Sequence, residues 1–141
     1  MPASRSPRRA AFVLCAILMP VALAACGTAT STGNYKGAEH EVAQAVANFQ
    51  ADSSAGEQDK VCSQDLSARI VASLGGTAGC RVAIKNQLGQ VDNFELAIQS
   101  IKLGTATTAT ATVRSIYSGQ KVSRTLALVK EAGGWRIASL L

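Results

Sequence analysis

Apolar residues recur along this chain first at helical spacing and then at strand spacing. Ala38, Val42, Ala45, Val46 and Phe49 share one face of a helix, with Glu39 and Glu41 in its first turn, where the helix dipole favours acids. Ser53-Ser54 and Gly56 end it. Cys62, Leu66, Ile70 and Leu74 recur every four residues and predict a second helical stretch, closed by Gly75-Gly76. A third, shorter one runs from about Cys80 to Leu88 and stops at Gly89. From Asn93 the period becomes two. Phe94, Leu96 and Ile98 alternate with Glu95, Ala97 and Gln99, and the phase slips near Ser100, as a bulge would produce, so that Ile101 and Leu103 take the apolar places. Residues 105–117 predict a long half-buried strand, with Ala109, Ala111, Val113 and Tyr117 on one face and Thr108, Thr110, Thr112 and Arg114 on the other. Ser118-Gly119-Gln120 turns the chain into a strand from Lys121 to Lys130. Gly133-Gly134 reads as a two-residue hairpin signal, and Trp135 to Leu140 makes the last strand. Strands joined by short turns pair antiparallel. The expected class is α+β, three N-terminal helices followed by an antiparallel sheet of about four strands.

Ahead of this pattern stands a segment of different character. Arg5, Arg8 and Arg9 open the chain without any acid, and the apolar run Ala10–Ala25 follows, interrupted by Pro20. A basic start followed by a short apolar run is the pattern of a secretory signal, and the run falls short of the ~20 residues that a spanning helix needs. It ends in Leu23-Ala24-Ala25-Cys26-Gly27, which resembles the lipobox of bacterial lipoproteins. There small residues let a peptidase reach the backbone and the cysteine sulfur takes a diacylglycerol. The expectation is a signal peptide over 1–25, removed together with Cys15, and lipidation at Cys26. The product would sit on the extracytoplasmic side of the cell membrane, exported by the general or, given Arg8-Arg9, the twin-arginine route. Residues 26–37, rich in Thr, Ser and Gly, read as a flexible tether of roughly 18 Å root-mean-square span. The folded domain is then 38–141.

Charge and composition narrow the picture further. Of the 14 basic side chains three belong to the expected signal, which leaves the remainder near balance with 9 acids. The overall charge of +5 is therefore no argument for nucleic-acid binding, and an exported address argues against it. Lys102, Arg114, Lys121, Arg124, Lys130 and Arg136 make the strand half basic, but without a contiguous run or interleaved aromatics; a solvated face is the plain reading, proximity to anionic head groups or wall polymers the sharper one. With only 4% aromatic residues, the core is built mainly from Ala, Val, Leu and Ile. No repeat or heptad suggests a solenoid or coiled coil.

Three helices before a bent antiparallel sheet that ends on Gly-Gly-Trp-Arg-Ile resemble the nuclear transport factor 2-like superfamily, and more narrowly small bacterial lipoproteins with that fold. The likeness covers about 38–141, with a Val42/Val46/Phe49 helix across the sheet, Cys62 ahead of Asp65-Leu66-Ser67, and Cys80 after a Gly-rich turn. It implies a cone in which the helices pack on a strongly curved sheet, and it makes a homodimer through the outer sheet face an option. The superfamily holds isomerases, dehydratases, binding domains and cell-wall accessory domains, so the fold alone selects no function.

Cys62 and Cys80, in a small exported domain, most simply form one disulfide; a redox pair or a metal site are the alternatives. A straight helix from Cys62 to Leu74 would be ~18 Å long, while the return to Cys80 reaches only ~20 Å. The bridge thus needs a nearly extended return or a helix break near Ser63, and the break is the simpler solution. His40, between Glu39 and Glu41, reads as a solvated residue or, at the sharper end, a general base. The resemblance suggests a carboxylate base inside the cone, for which Asp65, Asp92 and Glu95 are the candidates, with Tyr117 or Tyr35 opposite. None matches a catalytic motif residue by residue, and no cofactor or metal is implied. Phe94, Ala109, Ala111, Val113, Tyr117 and Trp135 are the candidate lining of an apolar pocket, or else the plug of a filled cone. The leading expectation is a non-catalytic binding or interaction module that meets an apolar small molecule or a cell-envelope protein. The runner-up is a small pocket enzyme of the isomerase or dehydratase type that uses a buried carboxylate. Replacing Cys26 by Ala is expected to release the protein from membranes or stall its maturation; unchanged membrane association on fractionation would overturn the anchor.

Overall fold

A computed structural model describes residues 30–90, 94–117 and 120–140, and the side chains of Tyr117 and Leu140 lie outside the described residues. The expected signal, Cys26, Asp92 and the Ser118-Gly119 turn also lie outside them. Residues 30–36, within the expected tether, make several contacts with the domain. Thr30 donates through its hydroxyl to Gln50 and to the Leu96 carbonyl, and Tyr35 packs against the core.

Helix α1 spans Gly37–Ser54 and buries Val42, Ala43, Val46, Gln50 and Ser53 at spacings of three and four residues, the stripe expected of a helix lying on a sheet. The anticipated second helix is broken into pieces: α2 (Gln58–Lys60), a π-helical turn (Val61–Asp65) and α3 (Ala68–Ser73), with Leu66 extended between the last two. Backbone pairing accounts for the break. Leu66 bridges Ile137 in parallel, and the Ser67 N–H donates to the Ile137 carbonyl at 2.9 Å, so the chain adds briefly to the edge of the sheet instead of continuing its helix. Ser67 then caps α3 through its hydroxyl, and the Glu131 carboxylate accepts from the Ala68 N–H at 3.1 Å. The break falls at Leu66, three residues beyond the position near Ser63 that loop length favoured, at the point where the chain meets the sheet edge.

Helix α4 spans Gly76–Leu88 and begins four residues ahead of the expected start at Cys80. Its Gly-Thr-Ala-Gly opening is poor helix-forming sequence. Gly75 and Gly76 both carry positive φ, +89° and +76°, and turn the chain sharply from α3 into α4. Cys62, in the π-helical turn, is bonded to Cys80 in α4.

Four strands, β1 (Leu96–Thr105), β2 (Thr108–Tyr117), β3 (Gln120–Glu131) and β4 (Gly134–Leu140), form one antiparallel sheet in sequence order. The register shifts between Ile98 and Ser100, where the phase slip predicted a bulge. Glu131 pairs with Gly134, so the last hairpin turns through Ala132-Gly133, one residue ahead of the expected Gly133-Gly134. Thr105 ends β1 and pairs with Thr108, where it had been expected to open the second strand. The helices cover the face that carries Leu96, Ile101, Ala109, Ala111, Val113, Leu126, Leu128 and Ile137, and Val42, Val46, Val61 and Leu66 meet them.

Close approach of α4 to the preceding turn depends on one glycine. A Cβ on Gly79 would stand 2.0 Å from the Leu74 carbonyl oxygen, inside any permitted contact. Gly79→Ala is therefore expected to lower the unfolding free energy by about 1–3 kcal/mol, the cost of overpacking, with the larger part seen when the disulfide next to it is intact. Chemical denaturation measures it, and an unchanged midpoint would contradict the packing.

Candidate functional site

Helix α1 has two working faces. The stripe described above enters the core, while Glu41, Gln44, Ala45, Asn48 and Asp52 fall at spacings of three and four on the adjoining face and form one wall of a groove. The opposite wall comes from Lys60, Gln64 and Asp65 at the π-helical turn and from residues 133–136 of the β3–β4 hairpin, with His40 at one end. The groove measures about 780 Å³.

The ion pairs around the groove are mostly internal. Glu41 accepts from Lys130 Nζ at 2.8 Å and from Trp135 Nε1 at 3.2 Å, and Lys130 also lies 5.7 Å from the indole centroid. These contacts, the Lys130 hydrogen bond above all, hold the Glu41 carboxyl below its usual range. Lys60 pairs with Glu57 at 2.5 Å and reaches Asp52 at 3.8 Å. Arg136 donates through Nη1 to the Ser63 carbonyl at 2.7 Å, and its Nε lies 3.5 Å from Glu131. Arg136 thereby anchors the π-helical turn that carries Asp65. His40 Nδ1 donates to the Thr32 carbonyl at 3.3 Å.

Asp65 is the exception. It closes the π-helical turn, is only 5% exposed, and among the described residues its Oδ2 has no hydrogen-bond partner. Burial pushes its carboxyl up, the charge of Asp52 and a hydrogen bond shared with it push further, and Arg136 and Lys60 pull back; the balance leaves Asp65 at about 7. A carboxyl poised there exchanges a proton at neutral pH, and π-helical turns are frequent at functional sites. Asp65 was one of three carboxylates singled out through the superfamily resemblance, with no residue-by-residue motif behind it. Its separation from the others depends on the break at Leu66, which periodicity does not reveal, and the role of Asp52 carried no signal of its own.

The other sequence candidates are dispersed. Ala109, Ala111 and Val113 are buried at 3%, 0% and 0% exposure in the core beneath the helices. Phe94 meets Phe49 edge to face, with centroids 5.6 Å apart. Trp135, 6% exposed, is shared between the core and the groove wall. The Tyr117 side chain lies outside the described residues, and Tyr35 packs beside the core away from the groove lining. Cys62 and Cys80 form the disulfide. Among the described residues no cluster of three or more His, Cys, Asp or Glu side chains is placed to hold a metal, and no helix is long and apolar enough to cross a membrane.

The Asp65 shift has a definite sign in stability. The folded state holds the proton up to about 7, while the unfolded chain releases it near 3.8, so wild-type stability falls as pH rises between those values. Relative to Asp65→Asn, which does not titrate, wild type is expected to lose up to about 1.4 kcal/mol per pH unit across that window and to change little above it. Urea denaturation of both proteins across the window checks this, and a flat or rising difference would contradict it.

No protein-family model matches the chain, and no curated protein matches it. Solved structures do. A candidate dehydratase of the nuclear transport factor 2-like family from Streptomyces avermitilis superposes with a TM-score of 0.56 at 15% identity, over 73% of this chain and 93% of that one. A candidate nuclear transport factor 2-like transpeptidase from Campylobacter jejuni gives 0.42 at 14% identity, over 65% and 92%. A candidate calcium/calmodulin-dependent protein kinase II association domain from Xanthomonas campestris gives 0.46 at 15%, over 74% and 86%. With four antiparallel strands in sequence order and helices packed on one face, the chain has the nuclear transport factor 2-like fold.

Proposed function

We propose that the protein is a small proton-transfer enzyme of the isomerase or dehydratase type, with Asp65 as its catalytic acid–base group. The observation that carries this reading is a single buried carboxyl in the wall of an open groove, held at about 7 by burial and by Asp52. In the proposed step the Asp65 carboxylate takes a proton from a carbon beside a carbonyl, and the electron pair of that C–H bond moves into the enolate. The protonated Asp65 then returns the proton. Delivered to the far carbon of a conjugated system it completes an isomerisation. Delivered to a β-hydroxyl it breaks the C–O bond, the enolate electrons form the C=C bond, and water leaves. Asp52 stabilises the protonated form by sharing its hydrogen bond, and Arg136 positions the turn through Ser63. Lipid anchoring through Cys26 on the extracytoplasmic side belongs to the same proposal; the lipobox residues support it, and the Cys62–Cys80 bond suits an oxidising compartment.

Apolar-pocket binding has less support, since Ala109, Ala111 and Val113 are packed into the core. A non-catalytic binding module would use the same groove without moving a proton. Exchange of α-protons for deuterium separates the two. A panel of ketones and β-hydroxy carbonyl compounds in deuterated water, followed by proton NMR, is expected to show exchange or dehydration that Asp65→Asn lowers by about 100-fold or more, with a pH profile that rises through about 7. Equal rates for wild type and variant would remove the catalytic reading.

A further inference from the structure

We propose that the groove takes a small, uncharged, hydroxyl-rich molecule, a sugar or a sugar-like polyol carbonyl compound; this rests on the proton-transfer reading of Asp65 and specifies its substrate class. The lining is polar where an apolar ligand would need grease. Gln44 and Asn48 from α1 and Gln64 from the π-helical turn present amides, and all three are exposed. Trp135 offers little of its ring, being 6% exposed with its N–H committed to Glu41. A steroid or acyl chain seated here would strip water from these amides and from the Asp52 carboxyl without replacing its hydrogen bonds, at about 1–3 kcal/mol for each group.

Charge argues against an ionic ligand. The two cations of the lining are engaged with protein acceptors, Lys60 with Glu57 and Asp52, and Arg136 with Ser63 and Glu131. Glu41, Asp52 and Asp65 share the groove with them and repel an anion. A cationic ligand would in turn meet Lys60 and Arg136 beside the very carboxyls it sought. What the walls offer is paired donors and acceptors, the pattern of a hydroxyl group. Gln44 Nε2 donates to Asn48 Oδ1 at 3.2 Å, which among the described residues leaves the Gln44 carbonyl and the Asn48 N–H uncommitted. At about 780 Å³ the groove lies within the usual range for small-molecule sites, roughly 300–1,000 Å³. A polyol that carries a carbonyl also has the β-hydroxyl which a dehydration by Asp65 would expel.

Ligand-observed NMR on the whole protein tests this with glucose, N-acetylglucosamine and maltose as neutral probes, succinate as an anion and anilinonaphthalene sulfonate as an apolar one. Saturable binding is expected for at least one sugar, with backbone shifts confined to α1, residues 60–65 and the β3–β4 hairpin. Asn48→Leu combined with Gln64→Leu is expected to weaken it by roughly tenfold. Circular dichroism and thermal unfolding confirm that each variant is folded. Sugars that fail to bind, that bind without regard to the paired leucine variant, or that are outcompeted in the groove by succinate or the apolar probe overturn the substrate class. A separate titration of the Asp65 carboxyl carbon by NMR keeps the two ideas apart. A midpoint near 7 with no sugar binding leaves the proton-transfer reading standing, whereas sugar binding with a midpoint near 4 removes that reading and turns the groove into a binding site.

Discussion

Covalent closure between Cys62 and Cys80 forces the chain between α1 and α4 to fold back on itself within 18 residues. A continuous helix through Leu74 would have carried the chain far from Cys62, and the short return would have had to run almost straight. The chain resolves this by ending its π-helical turn at Asp65, lending Leu66 and Ser67 to the edge of β4, and restarting as α3. Gly75, Gly76 and Gly79 then permit the reversal that brings Cys80 back. The same break leaves Asp65 buried at the end of a helical turn.

The groove follows from the way α1 meets this turn. One face of α1 is committed to the sheet, and the neighbouring face carries Glu41, Gln44, Asn48 and Asp52 past the π-helical turn and the β3–β4 hairpin. Glu41 ties that face to Lys130 and Trp135, so helix and hairpin are held together by a charge-assisted contact at one end of the groove. At the other end burial, and after it the charge of Asp52, push the Asp65 carboxyl up. The raised Asp65 carboxyl is therefore a by-product of packing. Polar side chains that α1 would otherwise show to solvent are brought against a turn whose geometry the disulfide and the sheet edge have already decided.

Much of the fold was legible in the chain because it is local. The stripe of Val42 and Val46, the alternation of Ala109, Ala111 and Val113, and the phase slip near Ser100 each report on neighbours within a few residues, and the elements follow them closely. The four-residue spacing of Cys62, Leu66, Ile70 and Leu74 misled because it is an average over two different environments. Leu66 is buried at the sheet edge, while Ile70 and Leu74 only flank the core. The low helix propensity of Gly76-Thr77-Ala78-Gly79 concealed the first turn of α4, where Gly79 leaves room for the Leu74 carbonyl.

Amino-acid order alone determined the class of the fold, the order of its elements and the character of its core, since periodicity of apolar residues needs only the chain's own geometry. The same order singled out the two cysteines that pair. Tertiary structure decided which carboxylate is buried and held up. Asp65 and Asp52 are thirteen positions apart with no periodic relation, and nothing local sets one in the core wall and the other beside it. Their meeting depends on a helix broken by a strand from the far end of the chain, and on burial, which is a property of the whole packed body and not of any segment in it.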